Sequence, residues 1–169
     1  PSDEELYMRW TELGAFTPVM RTHEGANKEG NWSWEKSPAT TAHFRRFALV
    51  HCALRPLFMA LSDEAQQTSV PILRHMMLEF PDDPQTYGLS DQYMIGATFL
   101  VAPVLEQGAT TRSVYFPAGT WYNVWNGTAI AGSARVTVDA PMGSPPVYSL
   151  GIDRPELRQA ESLATGSCR

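Results

Sequence analysis

The sequence predicts two parts of different fold class: an α/β unit over residues 1–68 and an antiparallel β-domain over residues 69–150. Helix signals dominate the first part, where apolar residues recur at spacings of three, four and seven. The apolar spacing changes from about Val70, and residues 135–140 alternate between polar and apolar side chains, as in a strand with one buried face. Residues 151–169 are predicted to form a polar tail.

The first part opens with a predicted helix and a short strand. Ser2 and Glu5 have the spacing of a capping box, in which the serine accepts a first-turn N–H and the glutamate reaches back. Three apolar residues then recur at helical spacing: Leu6, Trp10 and Leu13. Gly14 is expected to end this helix, and residues 16–20 are predicted to form a short buried strand.

A second helix is predicted from Ser37, with serine at the N-cap and Pro38 at the first helical position. Five apolar residues form a continuous helical stripe: Phe44, Phe47, Leu54, Phe58 and Leu61. Pro56 lies inside the stripe and removes one backbone hydrogen bond. Because the stripe continues beyond it, we expect Pro56 to kink the helix rather than end it.

This strand–loop–helix unit occurs once in the sequence. Such a unit is the repeating piece of a parallel sheet or an α/β barrel. A single parallel strand cannot pair with itself, because ladder hydrogen bonds need a neighbour. We therefore expect partner strands from another chain or from a missing N-terminal portion of a longer protein.

Residues 90–150 are predicted to form an antiparallel sheet or sandwich, because aromatic and β-branched runs are separated by turn residues. Residues 117–120, PAGT, lie between two aromatic strands and predict a hairpin. Alternation places Trp121 and Trp125 on one face of the second strand. We expect both rings to pack in the core against the helical part of the chain, whereas two exposed, coplanar rings would indicate a non-catalytic carbohydrate-binding or scaffold module.

Composition argues against several classes of partner. The formal net charge is −5 and no run of basic residues occurs, which argues against nucleic acid. No stretch approaches the ~18 consecutive apolar residues of a membrane span. No HExxH or CxxC motif occurs, so no metal site is predicted.

The N-terminus and the cysteines give three further expectations. PSDEELYMRW lacks an initiator Met and the basic and apolar regions of a signal peptide, so we expect a piece of a longer, cytoplasmic protein. Cys52 lies in an apolar helical stretch and Cys168 in the polar tail, and both are predicted to be unpaired thiols. The oligomeric state is open, with a homo-oligomer as one alternative.

Four long stretches carry a family resemblance. In chain order they are MRWTELGAFTPVMRTHEG, VPILRHMMLEFPDD, DQYMIGATFLVAPVLEQGATTRSVYFPAGTWYNVWNG and VTVDAPMGSPPVYS, all within residues 4–149. Together they resemble glycoside hydrolase family 31, the α-glucosidase and α-xylosidase family. The resemblance implies that residues 1–68 are the C-terminal end of a catalytic (β/α)8 TIM barrel, its last βα unit. Residues 69–150 would then be the β-sandwich that follows the barrel.

The resemblance also implies a retaining α-glycosidase mechanism. One Asp is the nucleophile and a second carboxyl is the acid/base, the two lying about 5–5.5 Å apart. Both belong to earlier barrel strands and match no residue of this chain, so they are expected upstream of Pro1. The chain alone is therefore expected to be inactive, and the expected substrate of the complete enzyme is an α-glycoside. Because general acid/base catalysis of this kind needs no metal or organic group, no cofactor is expected.

The candidate site lies in VMRTHEG, a polar cluster directly after the predicted strand. Active sites of barrels lie at the C-terminal ends of strands. The resemblance implies that His23 hydrogen-bonds a sugar hydroxyl and that Arg21 supports the same site by charge and hydrogen bonding. The alternative from composition is a surface loop in which these charged side chains pair with one another.

Two further residues are candidates for the pocket rim. Glu24 follows His23 and is expected to position Arg21 or cap the loop rather than to act in catalysis. Trp32, like Trp34, either stacks on sugar faces or anchors the loop. The residues alone leave both alternatives open for the tryptophans.

Two features favour the α-sulfoquinovosidase branch of the family over α-glucosidases and α-xylosidases. MRTHEG is followed by a short loop to Asn31 and Trp32. After the sandwich the chain reads SLGIDRPELRQAES, where typical α-glucosidases continue into a further β-domain. Because the residues that bind the sulfonate in that branch lie upstream of the matched segment, the other two activities stay open as alternatives.

Overall fold

The computed structural model describes residues 2–23 and 29–160. Two long helices come first, α1 (Glu4–Ala15) and α2 (Pro38–Thr68). The described strands follow: β1 (Leu73–His75), β2 (Tyr93–Ile95), β3 (Phe99–Val101), β4 (Thr111–Phe116), β5 (Thr120–Asn123), β6 (Ala129–Ala131), β7 (Ala134–Asp139) and β8 (Val147–Leu150). Short helical turns complete this part of the chain: α3 (Met76–Glu79), the 3-10 turn Pro84–Thr86 and α4 (Pro155–Arg158). No described helix has both the length and the apolar composition that crossing a membrane requires.

Helix α1 forms as predicted but has a different cap. Its N-cap is Asp3, whose carboxylate accepts the Leu6 N–H at 2.8 Å. The predicted capping box is wrong, because the Ser2 hydroxyl instead accepts the N–H of Trp32 at 2.9 Å. The start of α1 is thereby bonded to a segment that lies about thirty residues later in the chain.

The side of α1 that packs against the rest of the described chain is not its apolar stripe. The buried residues are Thr11, Glu12 and Ala15. Leu6 and Trp10, which belong to the predicted apolar stripe, are 46% and 63% exposed. The helix therefore turns two polar side chains inward, and their hydrogen bonds have to be satisfied there.

The predicted strand over residues 16–20 is absent from the described structure. Phe16 instead caps α1, with its N–H bonded to the Leu13 carbonyl at 3.0 Å. Phe16 is 1% exposed, but Val19 is 72% exposed. The prediction is wrong for a physical reason: strand hydrogen bonds need a neighbour, and no described strand pairs with this segment.

Helix α2 begins as predicted, with Pro38 in its first turn and the Ser37 hydroxyl accepting the Thr40 N–H at 3.0 Å. It continues through Pro56 to Thr68, which confirms that Pro56 does not end the helix. Four residues of the predicted stripe are buried: Phe47, Leu54, Phe58 and Leu61.

The β-domain consists of two antiparallel sheets, which confirms the predicted sandwich. One sheet has the strand order β1-β2-β3-β8-β5-β6, and the other pairs β4 with β7. Met94, Leu100 and Tyr148 are register partners, and they pack in a core with residues of β4 and β7. The opposite face packs with α2 through four residues: Ile95, Phe99, Val101 and Val147. The larger sheet therefore lies between the helices and the smaller sheet.

Two predictions about β5 are wrong. Residues 117–120 do not close a hairpin, because β4 pairs with β7 whereas β5 pairs with β6 and β8. Trp121 and Trp125 belong to the two cores on opposite faces of the larger sheet. They do not share a face, because β5 ends before Trp125 and the alternation stops there. Trp121 is 0% exposed, and Trp125 packs edge-on against Phe16 and Phe47. Packing against the helical part is therefore confirmed for Trp125, but it is wrong for Trp121, which packs in the core between the two sheets.

Two features differ from the sequence predictions: the start of the tail is buried, and Cys52 is bonded. Leu157 and Ala160 are 3% and 1% exposed and belong to the core beside α2. Cys52 takes part in a disulfide, so the prediction of an unpaired thiol is wrong for this residue. Cys168 lies outside the described residues.

A buried polar cluster joins the two long helices to the loop over residues 140–143, and we call it the 140–143 clasp. Its side chains come from three residues: Arg9, Glu12 and Arg46. Glu12, 2% exposed, accepts the Gly143 N–H at 2.5 Å and an Arg9 Nη1–H at 2.9 Å. Arg9 Nη2 donates to the Ala140 carbonyl at 3.0 Å, and Arg46 Nη1 donates to the Gly143 carbonyl at 2.6 Å. The backbone of this loop is therefore bonded to both helices.

Burial is the largest influence on the two titratable groups in and beside the clasp. It raises the pKa of Glu12, against the lowering effects of the Gly143 N–H and the Arg9 charge. It also lowers the pKa of His43, whose Nε2–H donates to the Met8 carbonyl at 3.1 Å, and two nearby arginine charges lower this pKa further. His43 is therefore held as a neutral donor, 3.8 Å from the Glu12 carboxylate.

Replacing Gly143 with alanine is expected to weaken the clasp. Gly143 has a φ of +90°, which disfavours residues with a side chain, and an added Cβ would lie 3.0 Å from Arg46 Nη1. We expect a loss of about 1–2 kcal/mol in the free energy of unfolding, measured by urea denaturation. Gly88→Ala is the control, because nothing lies within 4 Å of a Cβ there and its backbone is not left-handed. Equal stabilities of the two variants would contradict this account.

The His43→Gln variant tests the electrostatics of the same cluster. A histidine whose pKa is lowered on folding stabilises the protein above its ordinary pKa of 6.5, and this contribution is lost as the pH falls through the folded-state pKa. The difference in unfolding free energy, wild type minus variant, is therefore expected to decrease as the pH falls from about 8 to about 5. Glu12 is present in both proteins, so its opposite pH dependence largely cancels. A difference that stays constant with pH would show that burial does not disfavour the charged His43.

Candidate functional site

The candidate site begins where α1 ends, in the segment over residues 17–23. Two side chains from other elements hold the residues just before it. The Tyr93 hydroxyl of β2 donates to the Phe16 carbonyl at 3.1 Å, and His51 Nδ1 of α2 bonds the Ala15 carbonyl at 3.1 Å. The end of α1 is thus tied to the β-domain and to α2 before the chain enters the site.

His23 and Trp32 line one cavity of about 570 Å³. Much of its wall is aromatic, with contributions from Tyr7, Trp10, Trp32 and Trp34. Arg21 lines an adjoining cavity of about 310 Å³ that His23 also lines, and both of these side chains are exposed. The structure therefore places three of the four predicted site residues around one concave region. Glu24, the fourth, lies outside the described residues.

The tryptophans of the segment over residues 29–36 attach it to α2. Trp34 stacks on Phe44, with ring centroids 6.3 Å apart and planes inclined by 28°. The Trp32 indole Nε1–H donates to Thr40 Oγ1 at 3.0 Å. Both rings also line the larger cavity, so anchoring the segment and facing a ligand do not exclude each other.

The sequence patterns did not identify one contact, in which the Glu4 carboxylate of α1 bonds the start of α2. Glu4 Oε1 accepts the hydroxyls of Ser37 at 2.7 Å and Thr40 at 2.9 Å. These bonds lower the pKa of Glu4, with the Ser37 bond having the larger effect. Ser37 was predicted as a helix cap, but no local spacing connects it with a glutamate 33 residues earlier.

The site offers hydrogen-bonding groups and aromatic surface, a combination that suits a ligand with several hydroxyls. The carboxylates among the described residues that line the larger cavity are Glu29 and Glu35, and both are exposed. Retaining glycosidases need two carboxyls about 5–5.5 Å apart at the bond to be cleaved. The described wall of this cavity holds no buried carboxylate pair. In the part of the chain that the structure describes, no three His, Cys, Asp or Glu side chains are grouped so that they could hold a metal.

Family models match most of the chain. Residues 1–61 match the glycosyl hydrolases family 31 TIM-barrel domain, and residues 69–151 match the glycosyl hydrolase family 31 C-terminal domain. The sulfoquinovosidase of Agrobacterium fabrum is 45% identical over 162 residues, which is 95% of this chain and 24% of that protein. The sulfoquinovosidase of Escherichia coli is 40% identical over 145 residues, 86% of this chain and 21% of that protein.

Solved structures show the same relationship. A family 31 sulfoquinovosidase from E. rectale, in complex with an aza-sugar inhibitor, has a TM-score of 0.88 and 30% identity over 93% of this chain and 24% of that protein. A family 31 α-xylosidase from a soil metagenome has a TM-score of 0.80 and 25% identity, covering 94% of this chain and 26% of that protein. The chain thus spans about a quarter of the length of these relatives. The two family matches and the structural likeness confirm the resemblance seen in the sequence: the chain belongs to glycoside hydrolase family 31.

Proposed function

We propose that this chain forms the sugar-contacting end of a retaining α-glycoside hydrolase, and that the complete enzyme is an α-sulfoquinovosidase. The observation that carries the proposal is the position of His23. It lines the same cavity as Trp32, within the residues that match the family's TIM-barrel domain. The choice of substrate is supported by the 45% and 40% identity to two proteins named sulfoquinovosidase.

In this proposal His23 hydrogen-bonds a hydroxyl of the sugar, and Arg21 supports the same sugar from the adjoining cavity. An imidazole can donate and accept hydrogen bonds, as a hydroxyl partner requires, and a guanidinium is a permanently charged donor. The proposal keeps Trp32 and Glu24 as candidate residues of the pocket rim. Barrel enzymes place such groups after the C-terminal ends of strands, which is where the family resemblance puts the segment over residues 17–23.

We further propose three units: residues 1–68 as the end of the catalytic barrel, 69–150 as the proximal β-sandwich and 151–169 as a tail. The family matches over residues 1–61 and 69–151 support the first two. The nucleophile and the acid/base then come from barrel strands outside this chain. This assignment is supported by the absence of a buried carboxylate pair in the described cavity wall and by the chain's length relative to its relatives.

Hydrolysis of an α-glucoside or α-xyloside is the second candidate, supported by the likeness to a solved family 31 α-xylosidase. A non-catalytic carbohydrate-binding β-domain has less support. Its expected feature was an exposed pair of rings at Trp121 and Trp125, and these rings pack in two different cores instead.

The first test compares this chain alone with a complete enzyme, meaning this chain joined to the barrel portion that precedes the matched segment in its relatives. The chain alone is expected to give no turnover of 4-nitrophenyl α-glycosides, because both carboxylates are supplied elsewhere. The complete enzyme is expected to hydrolyse the α-sulfoquinovoside with a higher kcat/KM than the α-glucoside or the α-xyloside. Turnover by the chain alone would contradict the position of the carboxylates. A preference for glucose or xylose would favour the second candidate.

His23→Ala in the complete enzyme tests the proposed sugar contact. Loss of a hydrogen bond worth about 1.5–3 kcal/mol is expected to lower kcat/KM by about tenfold to several hundredfold. His75→Ala is the control, because it removes another exposed imidazole in β1, outside the cavity. Wild-type kinetics for the His23 variant would remove this residue from the substrate site.

A further inference from the structure

We propose that Glu4 and Thr40 are positioning residues that fix the ring of Trp32 in the cavity wall. Trp32 then offers a ligand its aromatic surface and not its indole N–H. The inference rests on the proposed function for the identity of the ligand, a sugar, but the geometry behind it is independent of that function.

The positioning contacts form a continuous relay from a carboxylate to the ring. Glu4 Oε1 accepts the Thr40 hydroxyl at 2.9 Å, and Thr40 Oγ1 accepts the Trp32 Nε1–H at 3.0 Å. The indole N–H can only donate, so Thr40 Oγ1 is the acceptor in that bond whether its own proton points towards Glu4 or towards Ser37 Oγ at 2.7 Å. The hydroxyl oxygen is thereby left with its acceptor side towards the indole. The relay therefore fixes the direction of the indole hydrogen bond and the positions of the bonded atoms.

Thr40 is the central residue of this relay. Its side chain is 0% exposed, so water does not compete for the hydroxyl. It lies in the first turn of α2, where its backbone N–H donates to the Ser37 hydroxyl at 3.0 Å. Ser37 in turn bonds the same Glu4 oxygen at 2.7 Å. Because Glu4 bonds both Ser37, the helix cap, and Thr40, the position of the Trp32 ring is fixed relative to the start of α2.

Contacts on the other side of Trp32 hold the segment that carries it. The backbone N–H of Trp32 donates to the Ser2 hydroxyl at 2.9 Å. The Lys36 ammonium lies 5.9 Å from the centre of the Trp32 ring and donates to the Asn31 carbonyl at 2.6 Å. These contacts restrain the ring from within the protein, and a restrained ring loses less entropy on association.

The hydrogen bond of the indole N–H determines what the Trp32 side chain can contribute to ligand binding. Its only strong donor is bonded to Thr40, so a sugar hydroxyl cannot use it without breaking the relay. The ring still lines the cavity that His23 lines. The carbon-bound hydrogens of a sugar ring form an apolar face, which packs well on an aromatic surface. We therefore infer a packing role for Trp32 beside the hydrogen-bonding role of His23.

The relay itself is tested by NMR on this chain, labelled with nitrogen-15. Trp32→Phe identifies the Trp32 indole signal by its disappearance. Thr40→Val removes the hydroxyl but keeps the shape of the side chain, and we expect the Trp32 indole proton to move upfield as its hydrogen bond is lost. Glu4→Gln is expected to move the same signal, because it replaces the charged acceptor that bonds the Ser37 and Thr40 hydroxyls. The matched control is Thr68→Val, at the far end of α2, where the hydroxyl bonds the Glu64 carbonyl. An indole signal that does not move in Thr40→Val, or that moves equally in Thr68→Val, would overturn the relay.

The positioning role is tested by kinetics of the complete enzyme with 4-nitrophenyl α-sulfoquinovoside. Thr40→Val is expected to raise KM by about threefold to tenfold, as for the loss of one ordinary hydrogen bond, with kcat changed by less than about twofold. Trp32→Phe keeps an aromatic ring and is expected to raise KM less than Trp32→Ala. Equal KM values for Trp32→Phe and Trp32→Ala, or for Thr40→Val and Thr68→Val, would overturn the packing role.

The same measurements separate this inference from the proposed function. If His23→Ala lowers kcat/KM while Thr40→Val behaves as Thr68→Val does, the proposed function stands and the positioning role is wrong. If His23→Ala leaves kcat/KM unchanged in an active enzyme, the proposed sugar contact is wrong, whatever the NMR result. An upfield shift in Thr40→Val together with the expected changes in KM supports both.

Discussion

The hydrogen bond between the buried Glu12 carboxylate and the Gly143 N–H is the constraint on which the arrangement of the two parts depends. A buried carboxylate is tolerated only when its oxygens are bonded, and Glu12 is 2% exposed. Its partners are Arg9 of the same helix and the loop over residues 140–143. Moving this loop away from α1 would leave a charge buried and only partly paired, which costs several kcal/mol. This bond therefore fixes the position of α1 on the β-domain together with the apolar core that Ala15 and Phe16 share with the larger sheet.

The same constraint determines where the candidate site lies. The segment over residues 17–23 leaves the end of α1, and the segment over residues 29–36 enters the start of α2. The clasp holds both helices against one loop, and the Tyr93 hydroxyl holds the Phe16 carbonyl. At the other end of α1, Glu4 is bonded to the start of α2. The two walls of the cavity are thus carried by helices that are fixed to each other at both ends.

The features that could be predicted from the sequence are those encoded by local contacts. Ser37 and Pro38 mark the start of α2, since a cap acts within four residues of its own position. The strand β7 shows its alternation because one of its faces is buried and the other is in water. The resemblance to a known family identified His23 as a candidate site residue, although its spacing alone would equally suit a surface loop.

The features that could not be predicted depend on partners far away in the chain. Glu12 reads as an ordinary polar helix residue, and its bond partner Gly143 lies 131 positions later. PAGT has the composition of a hairpin, yet β4 and β5 pair with strands that come later in the chain. Neither outcome follows from local propensity, because strand pairing is decided by which faces can be buried together.

The burial pattern of α1, with polar side chains buried and large apolar ones exposed, connects the fold to the proposed function. Leu6 and Trp10 stay exposed while Glu12 is buried, and the neighbouring Val19 is 72% exposed. Large apolar side chains gathered on one side of a protein mark a surface that another element covers. The segment over residues 16–20, which follows the C-terminal end of α1, has no described strand beside it. Under the proposed function, barrel strands outside this chain pair with this segment, and Trp10 belongs to the wall of the sugar site. The β-domain holds α1 by its polar side through the clasp, and this orientation leaves Trp10 exposed in the candidate site.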